Sequence, residues 1–397
     1  MMTDRNIICL SSTEWGGNYI KATVELMKEL ATQNNVLFVN SPYTIKDIFD
    51  GIRGKKDVEL GRALGLKSRI DTIKLPNGAT VHIFTPPPSI TINFLPEGFI
   101  YQTLLKFNGW NVRFTAAKAL KKLGMKDRLI NFVGFNHGMG VTTGRRFGEQ
   151  TLVYHCYDEI RGANTWLQKH GVALEERLLK MVDGTIVTSK GLYEAKKDLC
   201  KACYVVKNAV NIDLFSRGFQ SNVKPEKVVG YIGSIDERLD YHLLVHLLEN
   251  MPDTRFVFVG RVTTNFGEEE ILRKYPNVEL TGPKTPEELP GYLKTFSAGI
   301  IPFVKSDFTK GIYPMKINEY LAAGLPVVST DFANLDDFDG IIKITRDNDT
   351  FLDNLQNELA ADTPEKRTAR LAVAKQNTWA VRAGEISAAI EDMEKNL

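Results

Sequence analysis

The sequence contains no long apolar run and few cysteines. No apolar run approaches the ~18 residues of a membrane-spanning helix, and the first segment, MMTDRNIICLSSTEW, interrupts its apolar stretch too early for a secretory signal. Cys9, Cys156, Cys200 and Cys203 do not suggest a disulfide framework, and the last two lack the second Cys/His pair of a zinc site. We therefore expect a cytoplasmic protein whose thiols are packed or idle.

A strong charge of either sign is also absent. Fifty basic and 48 acidic side chains leave a formal net charge of +2, which gives no reason to expect a nucleic-acid-binding protein. At 397 residues the chain exceeds the size at which one hydrophobic core usually keeps growing. We expect a globular protein of two domains.

Two nucleotide-binding motifs are missing from the sequence. There is no G-x-x-x-x-G-K-[ST] segment, which excludes a P-loop. The glycine-rich segment GFNHGMG, which begins at Gly134, lacks the G-x-G-x-x-G spacing of a nicotinamide dinucleotide site. A dehydrogenase is therefore disfavoured.

The sequence does contain a regular alternation of short β-rich runs with helical segments. This alternation predicts parallel sheets flanked by helices, and therefore an α/β fold with two Rossmann-like doubly wound domains. A polar segment after Phe215 reads as a linker, so the predicted domains are 1–215 and 216–375, with a C-terminal helix of about 376–397 packing back on the first. Because ligands of such sheets bind beyond the carboxyl ends of the strands, we expect the site in a cleft that the two domains face. The β-rich runs begin at residues 6, 35, 80, 129, 152, 184 and 204 in the first half and at 228, 255, 277, 298, 326 and 340 in the second.

The segment GIYPMKINEYLAAGLPVVST, residues 311–330, predicts a helix of about two to three turns between Pro314 and Gly324. Lys316 lies in the first turn, where a cation is unfavourable beside the positive end of the helix dipole. A bound anion would reverse that sign. Glu319, three residues further on, is a carboxylate suited to the paired hydroxyls of a ribose or another sugar. The alternative is an ordinary Lys–Glu pair on the surface.

The segment GYIGSIDERLDYHLL suggests a second place for an anion. Gly233 and Ser234 directly follow a strand, where backbone N–H groups can approach phosphate oxygens, and Arg238 could add a charged fork. These charges could equally be ordinary solvated side chains. Two anion-binding places in one domain suit a diphosphate better than a single phosphate.

With these segments the chain resembles the nucleotide-sugar half of GT-B fold glycosyltransferases, close to bacterial cell-surface polysaccharide and teichuronic-acid type enzymes. The resemblance rests on GYIGSIDERLDYHLL, FVFVGRV, TGPKTPEELPGYLKTFSAGIIPFV and YPMKINEYLAAGLPVVSTD, in that order, and continues in TSKGLYEAKKDLCKACYVVKNAVNIDLF. It covers residues 150–335 well and the N-terminal part in outline.

The resemblance implies a donor site in the second domain. Glu319 would bind the ribose of the donor nucleotide, Lys316 and Arg238 would meet its diphosphate, and the backbone near residues 282–284 would frame the base. Many retaining members carry a second glutamate eight positions before the first, and this sequence has Gly311 there. The stereochemistry of transfer therefore stays open. The predicted donor-site residues are Gly233, Ser234, Arg238, Arg261, Gly282, Lys284, Lys316 and Glu319.

Three loops of the first domain are candidates for catalysis or acceptor binding. Asp158 follows the strand LVYHCYD, where a general base could remove the proton of an acceptor hydroxyl; the resemblance to inverting bacterial glucuronosyltransferases supports that role, and a capping aspartate is the alternative. His137 is the next candidate, for contact with the donor sugar or the acceptor, or else a loop histidine without a catalytic role. Glu14 and the amides of Gly16 and Gly17 could hold the acceptor or a phosphate, although Gly-Gly can be simply a tight turn.

We expect no metal and no cofactor. The D-x-D pattern within residues 336–339 is the metal signature of a different glycosyltransferase fold. Lys316 and Arg238 already provide positive charge to balance the diphosphate, so a metal ion is not needed for that purpose. Residues 51–70 hold six basic and two acidic side chains, and the segment NFLPEGFIYQTLLKFNGWNVRF adds aromatic residues. Together they could rest the first domain on an anionic membrane, with a solvated loop and a core helix as the alternative.

The sequence therefore predicts a glycosyltransferase. It would move a sugar from a nucleoside diphosphate sugar, with UDP as the first nucleotide to consider, to a hydroxyl of a glycan or lipid-linked glycan in cell-surface polysaccharide synthesis. Lys316, Arg238 and loop amides would stabilise the charge of the leaving diphosphate. A non-hydrolysing nucleotide-sugar epimerase and a catalytically silent nucleotide-sugar-binding protein stay as alternatives, and the base, sugar, acceptor and oligomeric state stay open.

Overall fold

The computed structural model describes residues 1–17, 19–162, 165–223, 226–263, 267 and 269–396, and the chain forms two compact units. Unit 1 comprises Met1–Gly17, Lys21–Lys207 and the described residues from Arg382 onward. Unit 2 comprises Asn208–Val381 and a short piece of the first loop. Each unit contains its own sheet and its own hydrophobic core.

Unit 1 is built on an eight-stranded sheet with the strand order β3-β4-β2-β1-β5-β6-β7-β8, parallel except for the β3–β4 pair. The central strands β5 and β6 are buried along their whole length, which explains why they read as nearly continuous apolar runs. The strands are β1 Asn6–Ser11, β2 Asn35–Val39, β3 Ile70–Lys74, β4 Thr80–Phe84, β5 Leu129–Gly134, β6 Thr151–Cys156, β7 Gly184–Val187 and β8 Cys203–Val205. The helices before unit 2 are α1 Ala22–Leu30, α2 Ile45–Ile52, α3 Leu60–Ala63, α4 Phe99–Lys122, α5 His137–Thr143, α6 Thr165–Met181 and α7 Lys190–Lys196.

Unit 2 is built on a six-stranded parallel sheet with the order β11-β10-β9-β12-β13-β14. Its strands are β9 Val228–Ile232, β10 Arg255–Val259, β11 Val278–Gly282, β12 Ala298–Ile301, β13 Val327–Thr330 and β14 Lys343–Thr345. The remaining helices are α8 Ile212–Phe215, α9 Tyr241–Asn250, α10 Glu269–Leu272, α11 Leu289–Leu293, α12 Met315–Ala322, α13 Asn348–Ala360, α14 Pro364–Gln376 and α15 Trp379–Lys395. All thirteen predicted β-rich runs form strands, so the predicted α/β class is confirmed.

Strand β3 is the one described strand that the sequence pattern did not predict, and it corrects the expectation of a purely parallel sheet. It pairs antiparallel with β4, from Ile70 opposite Phe84 to Lys74 opposite Thr80. Its five residues, IDTIK, include two separate apolar side chains and none that is buried, so it lacks a continuous apolar run. The available signal was Asn77-Gly78, a dipeptide typical of hairpin turns, whose glycine has a φ of 84°.

The units change at two places near the predicted domain limits. The first change falls between Lys207 and Asn208, before the predicted linker, because Phe215 is fully buried in the unit 2 core. At the C-terminus, Ile386 and Ile390 of α15 are fully buried, and Tyr204 Oη donates a hydrogen bond of 2.7 Å to Asp392. The acceptor and donor roles of the two domains stay predictions.

The strand order fixes where ligands can approach each sheet. In unit 1, β1 lies between β2 and β5, and in unit 2, β9 lies between β10 and β12. Each sheet therefore has a topological switch point beside its first strand, where the loops at the carboxyl ends diverge to opposite faces. None of the helices in the described part of the chain is both long and apolar enough to cross a membrane.

Candidate active site

Helix α12 begins and ends as predicted. Pro314 is its N-cap residue, with φ −76° and ψ 116°, and Gly324 follows its C-terminal end with a φ of 77°. Lys316 is therefore the second residue of the helix, beside its positive end. Ile317 and Leu321 are fully buried in the unit 2 core, so one face of α12 packs against that core. Lys316 and Glu319 lie on a different face of the helix.

Lys316 is partly buried, and its ammonium lies against two aromatic rings. Its Nζ is 5.3 Å from the ring centre of Phe303 and 5.5 Å from that of Tyr231. Among the described residues no hydrogen bond or ion pair to Nζ is found. Burial lowers the pKa of Lys316 to about 8, and the charge of Arg238 acts in the same direction. The ammonium thus has cation–π contacts but no hydrogen-bond acceptor among these residues.

Glu319 lies one turn further along α12 and is 6% exposed. The alternative of an ordinary surface pair with Lys316 is therefore wrong. Burial raises the pKa of Glu319 to about 7, although the nearby charge of Lys316 opposes that rise. A carboxylate and an ammonium on one buried helical turn are expensive to keep desolvated, which marks this turn as a candidate functional site.

The loop after β9 approaches Lys316 closely. Gly233 has a φ of 138°, and a Cβ at this position would lie 2.4 Å from Cε and 2.8 Å from Nζ of Lys316. Tyr231 Oη donates a hydrogen bond of 2.9 Å to the carbonyl oxygen of Ser234, which fixes the turn that follows. Gly233 and Lys316 therefore lie side by side, with Ser234 next in the same loop.

Arg238 lies in the same loop but is engaged by an acid. Its Nε and Nη2 donate hydrogen bonds of 2.9 and 2.5 Å to the two carboxylate oxygens of Asp236, which is 8% exposed. Its guanidinium carbon is 5.5 Å from the Phe303 ring centre, so Arg238 and Lys316 share that ring. A diphosphate bound here would meet two cations, one of which is already held by Asp236.

The other predicted donor residues lie at the ends of β10 and β11. Arg261 is exposed, and its carbonyl oxygen accepts a hydrogen bond of 2.9 Å from Ile235 N. Gly282 ends β11 with a φ of 75°, and Lys284 Nζ lies 5.7 Å from the ring centre of Tyr292. These residues follow neighbouring strands at the same edge of the sheet. The contacts described for them do not include Lys316.

In unit 1, His137 is the first residue of α5 and lines a cavity of about 360 Å³. Asn136 caps the helix by accepting a hydrogen bond of 3.3 Å from Met139 N, and its own amide donates one of 2.9 Å to the carbonyl oxygen of Ser11. The cavity is mostly apolar, with Ile92, Tyr101, Leu105 and Leu174 among the lining residues.

The predicted base Asp158 follows β6 in a short loop. Its Oδ1 accepts a hydrogen bond of 3.0 Å from Glu159 N, so part of the carboxylate orders its own turn. Glu159, which is 9% exposed, accepts hydrogen bonds of 3.0 Å from Arg161 N and 3.2 Å from Lys196 Nζ. Asp158 and the cavity of His137 lie at the ends of the neighbouring strands β6 and β5.

The first loop of unit 1 encloses a lysine. Lys21 Nζ donates a hydrogen bond of 2.7 Å to the carbonyl oxygen of Glu14 and one of 2.5 Å to that of Gly16. Gly17 has a φ of 112°, and a Cβ there would lie 3.3 Å from Lys21 Nζ. The carbonyl groups of the predicted acceptor loop therefore face a cation of the same chain, a contact that the sequence pattern did not indicate.

Sequence reasoning also missed aromatic and acidic partners in unit 2. Tyr231 and Phe303 belong to predicted β-rich runs and were not singled out, and Asp236 was not expected to pair with Arg238. For Tyr231 and Asp236 the available signal was proximity in sequence to Gly233 and Arg238, and Phe303 had no such signal. No cluster of three or more His, Cys, Asp or Glu that could hold a metal ion occurs among the residues that the structure describes.

Comparison with known proteins finds similarity to glycosyltransferases. Residues 226–360 match the family model described as glycosyl transferases group 1. TuaH of Bacillus subtilis (strain 168), named as a candidate teichuronic acid biosynthesis glycosyltransferase, is 34% identical over 203 residues. That match covers 45% of this chain and 50% of TuaH, so it spans about half the length of this relative.

Solved structures match over nearly the whole chain. The E. coli trehalose-6-phosphate structure bound with UDP-2-fluoro glucose has a TM-score of 0.64 at 12% identity, covering 98% of this chain and 99% of that one. Anabaena Alr3699/HepE in complex with UDP has a TM-score of 0.63 at 13% identity, covering 98% and 100%. At these identities the structures show the fold alone. The predicted resemblance to GT-B glycosyltransferases, and the fold of two Rossmann-like units, are confirmed.

Proposed function

We propose that this chain is a metal-independent glycosyltransferase. It moves a sugar from a nucleoside diphosphate sugar to a hydroxyl of a glycan or lipid-linked glycan, in the synthesis of a cell-surface polysaccharide. The observation that carries the proposal is the ammonium of Lys316, which is partly buried at the start of α12 without a hydrogen-bond acceptor among the described residues. A diphosphate supplies the missing anion.

The donor binds through the turn of α12 that holds Lys316 and Glu319. Diphosphate oxygens accept hydrogen bonds from Lys316 and from the loop amides near Gly233, while the Glu319 carboxylate accepts hydrogen bonds from ribose hydroxyls. When the bond between the sugar and the diphosphate breaks, negative charge grows on the leaving oxygens. Lys316 and Arg238 stabilise it in the place where other enzymes use a metal ion.

UDP sugars are the donors to test first. Two solved neighbours of the same fold were bound with UDP or a UDP sugar, and the match to TuaH supports a cell-surface polysaccharide as the product. The acceptor occupies the unit 1 cavity, where a hydroxyl can approach His137. Both Asp158 and His137 are candidates for the general base, and Glu14, Gly16 and Gly17 border the acceptor. Gly311, buried in the turn Thr309–Gly311, leaves the stereochemistry open.

Measuring UDP affinity by calorimetry tests the donor site. We expect Lys316→Ala to weaken UDP binding about 10- to 150-fold, because a charge-assisted hydrogen bond contributes about 1.5–3 kcal/mol. Lys310→Ala is the matched control, since Lys310 is exposed and pairs with Asp307 at 2.5 Å. Equal UDP affinity of the wild type and Lys316→Ala would overturn the proposed site.

Transfer itself separates the proposal from its alternatives. Label from UDP sugars should enter an isolated cell-envelope glycan fraction, in EDTA as well as without it, and Asp158→Asn should slow transfer if Asp158 is the base. An epimerase would convert the donor with no acceptor present. A silent binding protein would bind UDP without turnover.

Helix α4 gives unit 1 a surface that fits a membrane. Phe107, Trp110 and Phe114 are 47%, 53% and 48% exposed, and their rings stack in a row with centres 6.2 and 5.6 Å apart. Lys118 Nζ lies 4.1 Å from the Phe114 ring centre. The helix carries five basic residues and no acidic residue. This aromatic and basic face matches an anionic lipid surface, where a lipid-linked acceptor is held. The protein is then cytoplasmic and peripheral to the inner face of the membrane.

A further inference from the structure

A chain of buried polar groups lies beneath His137 in unit 1. His137 Nε2 is 2.7 Å from Tyr154 Oη, and Tyr154 Oη is 2.8 Å from Glu175 Oε1. Glu175 Oε2 accepts a hydrogen bond of 2.6 Å from Lys196 Nζ. All four side chains are at most 5% exposed. The residues come from α5, β6, α6 and α7, so four elements converge on one imidazole.

The hydrogen-bond chain fixes where the protons lie. Burial acts to raise the pKa of Glu175. Hydrogen bonding by the His137 side chain and the positive charge of Lys196 outweigh this effect and hold the pKa at about 2. The carboxylate is therefore ionised and can only accept hydrogen bonds. Tyr154 has one hydroxyl proton, and the contact with Glu175 requires it. The 2.7 Å contact between Tyr154 Oη and His137 Nε2 must then be a bond in which Nε2 donates.

With the proton on Nε2, the neutral imidazole ring has an unprotonated Nδ1, which can accept a hydrogen bond. Among the described residues no hydrogen bond to Nδ1 is found, and His137 lines the cavity. A positive charge on the ring would lie near Glu175, whose Oε1 is 3.7 Å from Nε2. The other titratable groups on this network are Cys156, whose Sγ donates to Glu175 Oε1 at 3.6 Å, and Glu159, which Lys196 also contacts.

We propose that Tyr154, Glu175 and Lys196 are positioning residues that hold His137 with its proton on Nε2, so that Nδ1 accepts the proton of a hydroxyl bound in the unit 1 cavity. The catalytic part rests on the proposed glycosyl transfer. As the acceptor oxygen bonds to the anomeric carbon, its proton moves to Nδ1. The bond from that carbon to the diphosphate breaks, and its electron pair stays on the diphosphate oxygen. This assignment gives His137, in preference to Asp158, the role of general base.

The tautomer of His137 can be measured without any activity. Long-range ¹H–¹⁵N spectra of the full chain labelled at its six histidines show which ring nitrogen carries the proton, and His137→Gln identifies the signals. We expect Nε2–H with an unprotonated Nδ1 in the wild type, and a mixture of tautomers in Tyr154→Phe. Tyr204→Phe is the matched control, because it removes another tyrosine–carboxylate hydrogen bond of unit 1, that to Asp392 at 2.7 Å.

Two spectral results would overturn the proposal. One is a wild-type ring with its proton on Nδ1, and the other is an unchanged His137 pattern in Tyr154→Phe. The first needs no variant, so it decides the question even if Tyr154→Phe fails to fold.

Kinetics then test the catalytic part. We expect His137→Gln to lower kcat by about 100-fold or more, within the range of general acid–base contributions. Tyr154→Phe should lower kcat with an unchanged KM for the donor, and Tyr204→Phe should change neither. A full kcat in His137→Gln, or a larger loss in Asp158→Asn, would overturn the role of His137. If the wild type transfers no sugar while the spectra are as expected, the proposed function fails and the positioning network stands.

Discussion

Lys316 and Gly233 occupy one small space, and each constrains the other. The glycine has a φ of 138°, in the region that side chains disfavour, and its missing Cβ leaves room for the Lys316 ammonium. The Lys316 ammonium lies 5.3 Å from the ring centre of Phe303 and 5.5 Å from that of Tyr231.

Gly233→Ala should therefore weaken UDP binding as well as stability. The new Cβ would lie 2.4 Å from Lys316 Cε, so the lysine side chain must move away from the rings. Gly340→Ala is the control, because Gly340 has a φ of 73° but a Cβ added there would meet no neighbouring group within 4 Å. Both variants should lose about 1 kcal/mol or more of stability through backbone strain. Only Gly233→Ala should lose UDP affinity, and wild-type affinity in that variant would contradict this view of the site.

The ionisation of Glu319 predicts a dependence of stability on pH. Burial raises the pKa of this carboxyl from 4.5 to about 7, so the folded chain holds the proton more tightly than the unfolded chain. Its contribution to stability is present below pH 4.5 and is lost as pH rises towards 7. Without UDP, Glu319→Gln should therefore gain stability relative to the wild type between pH 5 and pH 8, on the order of 1–3 kcal/mol.

Chemical denaturation at the two pH values measures this difference. Lys316 adds an opposite trend at higher pH, because its pKa is lowered from 10.5 to about 8. The comparison is therefore made at or below pH 8, with exposed Glu287→Gln as the control. The same difference between Glu319→Gln and wild type at both pH values would show that Glu319 is not desolvated in the folded state.

Helix α12 is held at its far end by a buried ion cluster. Asp362, in the turn between α13 and α14, accepts hydrogen bonds of 2.6 Å from Arg367 Nε and 2.6 Å from Arg370 Nη1. Arg370 Nη1 also donates to the carbonyl oxygen of Gly324 at 3.2 Å. The cluster therefore ties α14 to the residue that follows α12, and so supports the helix that carries Lys316 and its neighbours.

Asp362→Ala should destabilise unit 2 strongly. The Asp362 side chain is 2% exposed, and its removal leaves two buried guanidinium groups without their shared acceptor, at a cost of about 3–5 kcal/mol. Asp353→Ala, at an exposed aspartate of α13, should change stability by no more than about 0.5 kcal/mol. Urea denaturation measures both variants. A loss below about 1 kcal/mol in Asp362→Ala would mean that water or other groups replace the carboxylate.

The proposed membrane association is tested on the whole protein. Flotation with vesicles of phosphatidylglycerol and phosphatidylcholine should carry the wild type upward, whereas vesicles of phosphatidylcholine alone should carry much less, because the basic residues of α4 need anionic lipid. The variant with Trp110→Ser and Phe114→Ser should lose most of its binding. Ile271→Ser, at a residue of unit 2 that is 37% exposed, is the control. Equal binding to both kinds of vesicle would contradict the proposed surface.

Most strands were predictable because a strand that is buried in the core has a local run of apolar residues in its sequence. The central strands of both sheets appear as apolar runs, since nearly all of their residues are buried. Strand β3 has no such run and no buried residue, and the Asn77-Gly78 turn was the sequence signal for it. The position of Lys316 at the start of α12 was predictable for a different local reason, which is that Pro314 and Gly324 delimit the helix.

The amino-acid sequence by itself therefore determined the two α/β units, helix α12 and the placement of Lys316 and Glu319, because each depends on neighbours within one turn or one strand. Only the tertiary structure decided which groups meet. Asp236 holds Arg238, and carbonyl groups of the first loop hold Lys21, through turns whose side-chain directions no periodicity gives. The network beneath His137 joins residues from four elements, which packing alone brings within hydrogen-bond distance.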